Sequence, residues 1–107
     1  MKVSNLSDMV KGWFVGDFNR CALSTTAAEV GVKTYRAGEA EAAHVHRIAT
    51  EVTLVLSGEV EMNGQRFTSG QIVTLEPGEP ASFRALTDAT TVVVKTPSAP
   101  GDKYPVA

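Results

Sequence analysis

Turn signals punctuate this chain from Gly58 onward, and short runs rich in β-branched residues lie between them. The clearest signal is Asn63-Gly64, set between Val60–Met62 and Gln65–Thr68. A two-residue type I′ turn needs positive φ at both central positions. Asn-Gly meets that need at low steric cost, so the pair specifies a β-hairpin. Ser69-Gly70 then turns the chain into Gln71–Leu75, and Pro77-Gly78-Glu79-Pro80 forms another tight turn. Thr87-Asp88 joins Ala81–Leu86 to Thr90–Thr96. Upstream, Val30–Arg36 places Val30, Val32 and Thr34 on one face, and Glu51–Leu56 reads EVTLVL. Strands of about five to seven residues, with turns roughly every ten, indicate an all-β sandwich or barrel. No helical periodicity separates them, which argues against βαβ units. At the start, Ser4 caps at most a short helical turn through about Lys11, with Gly12 as its stop.

The chain has 107 residues, a length expected of one domain. Residues 1–29 read as an N-terminal segment, 30–96 as the barrel core and 97–107 as an extended tail with three prolines. Net charge is −2 and no basic run appears, so nucleic acid is not an expected partner. The longest apolar runs are about five residues, far below the roughly 20 that span a bilayer, so no membrane association is expected. The opening MKVSNLSDMVKGW lacks the apolar core of a signal peptide, which makes the cytoplasm the expected location. Cys21 stands alone, so neither an intrachain disulfide nor a cysteine-based zinc site can form. It reads as a small hydrophobe.

The chemistry is concentrated in GEAEAAHVHRIATEVTLVLSG. The chain's two histidines, His44 and His46, are two apart, which on a strand puts both imidazoles on one face. Glu51 offers a carboxylate five residues on. Two histidines and one carboxylate suit a first-row transition metal, and form the facial set used by non-haem iron. Glu51 lies at odd spacing from His46, so sharing a site requires a turn or bulge within Arg47-Ile48-Ala49-Thr50. Glu39 and Glu41 read as solvated, because Glu41 is also at odd spacing from His44.

This stretch resembles the first motif of the cupins, small β-barrel proteins of jelly-roll type. That motif runs Gly, five residues, His-x-His, three or four residues, Glu, six residues, Gly. Gly38, His44, His46, Glu51 and Gly58 fill every specified position at the family spacing. The second cupin motif runs Gly, five residues, Pro-x-Gly, two residues, His, three residues, Asn. From Gly70, Glu76 occupies the proline position with Pro77 one place later, and Gly78 falls on the glycine. Ala81 stands where the family has its fourth metal ligand, and Ala85 where it has asparagine.

The resemblance implies an RmlC-like jelly-roll barrel, a homodimer, and a metal on His44, His46 and Glu51. Iron, manganese, nickel and zinc all suit that set, and no organic cofactor is implied. Thr53 and Val55 are expected to line the pocket beside Glu51, with Ala81, Phe83 and Tyr35 on its other walls. A missing imidazole at Ala81 is expected to leave extra room. Val52, Leu54 and Leu56 would face outward as a dimer or sheet-packing surface. Glu76 and Glu79 read as solvated turn residues, and Trp13 and Phe14 as an anchor for the N-terminal segment. The function expected is that of a metal-dependent oxygenase- or isomerase-type enzyme acting on a small polar metabolite, although no second catalytic residue is identifiable. The alternative is a non-catalytic metabolite-binding or accessory module with a vestigial or empty metal site.

Overall fold

In the computed structural model, which describes residues 1–106, the turn-punctuated segments become strands. They are β1 (Trp13–Gly16), β2 (Leu23–Ser24), β3 (Glu29–Tyr35), β4 (Ala40–Val45), β5 (Thr50–Ser57), β6 (Glu59–Met62), β7 (Gln65–Thr68), β8 (Ile72–Leu75), β9 (Ala81–Ala85), β10 (Ala89–Thr96) and β11 (Tyr104–Pro105). One sheet has the order β2-β1-β3-β10-β5-β8 and the other β11-β4-β9-β6-β7. The fold is all-β, a sandwich of two sheets.

Strand β10 is the spine of the larger sheet. Its run Thr90–Val94 is β-branched throughout and pairs antiparallel with β3 on one side and β5 on the other. At the hairpin, Asn63 and Gly64 have φ of 51° and 76°, and Met62 pairs with Gln65. Asn63 also ties the hairpin to β9, donating from Nδ2 to the Pro80 carbonyl at 3.0 Å and accepting from the Ser82 amide at 3.0 Å. Between the sheets, Val55 and Val60 are fully buried beside Met62, Phe83 and Ala85. Burying an aliphatic side chain of this size contributes about 1.5–3 kcal/mol. Gly58 has a φ of +84°, and a Cβ there would lie 2.2 Å from the Asp88 carbonyl oxygen. The glycine that closes the first motif is therefore needed where two backbones cross.

The N-terminal segment makes two single 3₁₀ turns, Leu6–Asp8 and Val10–Gly12. Ser4 caps neither, and Asn5, which precedes the first, makes no side-chain cap bond. The Trp13 ring lies flat on Gly31, where a Cβ would come within 2.7 Å of it. Lys33 and Lys95 flank the same ring at 5.3 and 4.9 Å.

The C-terminal residues are held at several points. Ser98 Oγ donates to Glu29 at 2.9 Å and accepts from the Asp17 amide at 2.9 Å. Tyr104 pairs with Val45 and Pro105 with His44, so β11 extends the smaller sheet beyond β4. Proline is tolerated there because an edge strand needs no inward donor from it. Ala107, the last residue of the expected tail, lies outside the described residues. No helix among the described residues is long and apolar enough to cross a membrane.

Candidate metal centre

The histidines reach the site because β4 is irregular. Glu41 pairs with Phe83 and His44 with Ala81, so three steps along β4 match two along β9. The extra residue is a bulge, which re-aims the side chains that follow it. His46 sits just beyond the last residue of β4, the backbone bends at Arg47 and Ile48, and β5 begins at Thr50. The turn demanded by the odd spacing of Glu51 is thus present. One ligand atom from each of His44, His46 and Glu51 lies within 4.8 Å of the other two. The two imidazole rings meet edge to face at 5.1 Å.

Both rings are oriented by backbone carbonyls. Nδ1–H of His44 donates to the Ala42 carbonyl at 3.2 Å, and Nδ1–H of His46 donates to the Asp102 carbonyl. A carbonyl can only accept, so each neutral ring carries its proton on Nδ1 and presents the Nε2 lone pair to the site. This arrangement is the usual support of a metal-binding histidine. His46 Nε2 is wholly buried and has no hydrogen-bond partner. It faces Glu51 Oε2 at 3.7 Å, beyond the range of an N–H···O bond. With His46 in its neutral form, two acceptors face one another, an arrangement that a cation between them resolves. Burial above all lowers the His44 pKa, which favours the neutral ring that ligation needs. The donor set, the orphaned nitrogen and the oriented lone pairs fit a divalent first-row metal.

The cavity beside His44 and Glu51 measures about 40 Å³, and His46 lies buried behind its wall. That volume suits an ion with one or two small ligands, a water occupying about 30 Å³ of liquid. The extra room expected at Ala81 is not there, because Met62 and the tilted ring pair Tyr35–Phe83, with centroids 4.5 Å apart, close in on it. Nor is Ala81 on an opposite wall; it is the direct neighbour of His44 on the adjoining strand. Thr53, Ala81, Phe83 and Tyr35 line the cavity. Val55 does not. It shares the inward face with Thr53 but lies one layer deeper, fully buried in the core cluster.

Glu41 is a second correction. Its spacing from His44 points it to solvent, but the bulge returns it to the histidine's face, where it lines the cavity half-buried. The Tyr35 hydroxyl donates to it at 3.3 Å. Burial first, and the Glu41 carboxylate second, raise the Tyr35 pKa above its ordinary value, so the phenol stays a proton donor. Glu39 remains exposed. Glu76 and Glu79 are exposed too; Glu76 accepts from the Thr50 hydroxyl at the start of β5, and Glu79 from the Glu76 amide within the turn. The glycine kept in that turn supports the site through its backbone, since the Gly78 amide donates to the His46 carbonyl at 2.8 Å.

Three participants carried no legible signal. Thr91 is 1% exposed, its hydroxyl unpartnered and its side chain on the cavity wall. Asp102 reaches the site from far along the sequence, and Glu41 enters only through the bulge. Beyond the cavity, two surface grooves adjoin the site. One of about 630 Å³ shares Tyr35 and Glu41 with it, and one of about 420 Å³ shares Glu41 and His44.

No protein-family model and no curated protein sequence matches the chain. Solved structures do. An uncharacterised conserved protein with a double-stranded β-helix domain from Klebsiella pneumoniae superposes with a TM-score of 0.71 at 22% identity, covering 94% of this chain and 88% of that one. An RmlC-like cupin protein from Desulfovibrio desulfuricans gives 0.61 at 24% identity, covering 68% and 74%. The DMSP lyase DddQ from Ruegeria pomeroyi gives 0.72 at 19% identity, covering 88% of this chain and 49% of that one. The chain has the fold of the cupins, as the first-motif resemblance implies.

Proposed function

We propose that the chain binds a divalent transition metal through His44, His46 and Glu51 and uses it on a small polar metabolite, in chemistry of the oxygenase or isomerase type. One observation carries this reading: the buried, unpartnered His46 Nε2 set 3.7 Å from the Glu51 carboxylate. A bound metal supplies Lewis acidity and open positions for a ligand oxygen. The protein's own groups supply the rest. Tyr35, kept protonated, offers a hydrogen-bond donor at the boundary between cavity and groove. Two neutral imidazoles and one carboxylate leave a divalent ion with a net positive charge. The half-buried Glu41 carboxylate on the cavity wall offsets that charge, and the Lys95 ammonium is held over the Trp13 ring. That balance suits a small polar ligand that offers an oxygen. The similarity of fold to a DMSP lyase is compatible with catalysis.

A cavity of about 40 Å³ favours the second reading, a module that holds a small ligand without turning it over. Elemental analysis of purified protein tests the metal: the wild type should carry near-stoichiometric metal and His44→Ala little. Equal, negligible metal in both would remove the proposal. Turnover separates the two readings, since a module returns its ligand chemically unchanged after incubation with metal and oxygen.

Self-association belongs with this proposal. On the outer face of the larger sheet, Val32, Val92, Leu54 and Ile72 form a continuous cross-strand row, and Ile72 is 62% exposed. A second copy of the chain is the proposed cover, and sedimentation at micromolar concentration should give twice the monomer mass.

A further inference from the structure

Asp102 lies 56 residues beyond His46 in sequence, and 6% of its surface is exposed. Its carboxylate accepts from the amides of Arg47 at 2.9 Å, Ile48 at 3.1 Å and Ala49 at 3.0 Å. These three consecutive amides form the turn that carries the chain from His46 to Glu51. A turn has no strand ladder to take its N–H groups, so the side chain stands in for one. The same residue's carbonyl accepts from His46 Nδ1–H. One residue thus fixes the turn that delivers Glu51 and the ring that presents the lone pair of His46.

The residue type matters. Three donors converge on one side chain, and a carboxylate meets them with two oxygens that only accept. Asparagine keeps one such oxygen and would aim an NH₂ at donors. The segment is brought into place by the pairing of β11 with β4, and the Arg47 guanidinium lies 3.9 Å over the Tyr104 ring beside it.

We propose that Asp102 is a positioning residue of the metal centre, with the C-terminal segment serving as a strap whose docking sets the geometry of His46 and Glu51. The proposal rests on the metal reading above. It assigns to Asp102 no contact with metal or substrate.

The test uses the full chain and Co²⁺ as the probe. Asp102→Ala should weaken Co²⁺ binding about 10- to 100-fold, the range seen when a residue supporting a metal ligand is removed. Asp102→Asn should fall between the wild type and Asp102→Ala. Ser98→Ala removes bonds to Glu29 and Asp17 that do not touch residues 46–51, and with Asp102 still docked it should leave affinity unchanged. In the metal-free wild type, ¹⁵N shifts of His46 should report a single Nδ1–H tautomer, and in Asp102→Ala a mixture. Unchanged affinity with an unchanged tautomer in Asp102→Ala would overturn the proposal. So would a loss in Ser98→Ala equal to that in Asp102→Ala at equal change in Tm, since the role would then be stability alone. If Asp102→Ala does not fold, Asp102→Asn against the wild type decides by the same readouts. Should the wild type bind no Co²⁺, the metal reading fails separately. Asp102 is then judged on the His46 tautomer and on amide exchange at residues 47–49, which must both loosen in Asp102→Asn for the positioning role to stand.

Discussion

Two turns meet beneath the cavity, and they are held in opposite ways. The turn from His46 to Glu51 sends its amides to a carboxylate from a distant part of the chain, and its flanking residues point a nitrogen and an oxygen at each other. The turn from Glu76 to Pro80 is exposed and partly self-satisfied, and it meets the first turn through a buttressing amide bond from Gly78 to His46 and an exposed bond from the Thr50 hydroxyl to Glu76. The first turn carries chemistry at the cost of facing acceptors. The second carries shape. A cupin-like second motif can thus lose its polar residues and still support the first, because the support runs through backbone.

The sharpest way to break this contrast is Glu51→Gln. An amide N–H would bond the orphaned His46 nitrogen, so metal binding should be lost while the metal-free protein gains about 1 kcal/mol, the usual worth of a buried hydrogen bond. Isothermal titration and melting in chelator read both effects. A less stable metal-free variant would mean that an ion pair with charged His46, not a metal, explains the geometry. Next in size is Ala81→His, which moves chemistry onto the second-motif arm. A second imidazole would sit beside His44, with Cβ atoms about 4.5–5.5 Å apart. Metal should bind more tightly, while crowding of the cavity costs the metal-free fold about 1–3 kcal/mol. Unchanged affinity would show that position 81 is not the lost ligand position. Gly78→Ala should cost about 1 kcal/mol, because φ is +89° yet no atom lies within 4 Å of the added methyl. Its metal affinity should match the wild type, since the amide bond to His46 survives. The double change Glu76→Ala, Glu79→Ala should move stability by no more than about 0.5 kcal/mol and leave affinity alone. A loss of metal there would reassign one of them as a ligand.

How far the sequence could be read follows from how local each feature is. Asn63-Gly64 announced its hairpin because both residues carry the turn's φ requirement themselves. Strands β5 and β10 were plain from their β-branched runs. Strand β4 is poor in such residues and gave no cue of its own; β1 is only four residues long, though Trp13, Phe14 and Val15 favour strand, and β11 is two residues with Pro105. The candidate metal cluster could be read because its residues fall within eight positions, His44 to Glu51. The burial of Glu41 could not, since a one-residue bulge is decided by pairing with β9. The room expected at Ala81 failed for a similar reason: the side chains that fill it, Tyr35 and Met62, come from other strands.

The strap has a consequence for how the protein is made. His46 and Glu51 are both synthesised before Asp102, which bonds the His46 ring and the turn between them, and Asp102 follows Glu51 by roughly 3–10 s at 5–20 residues per second. During that interval the nascent chain displays two imidazoles and a carboxylate without their final geometry. On the proposed reading, a metal taken up selectively by this site would be loaded after Asp102 has emerged and docked.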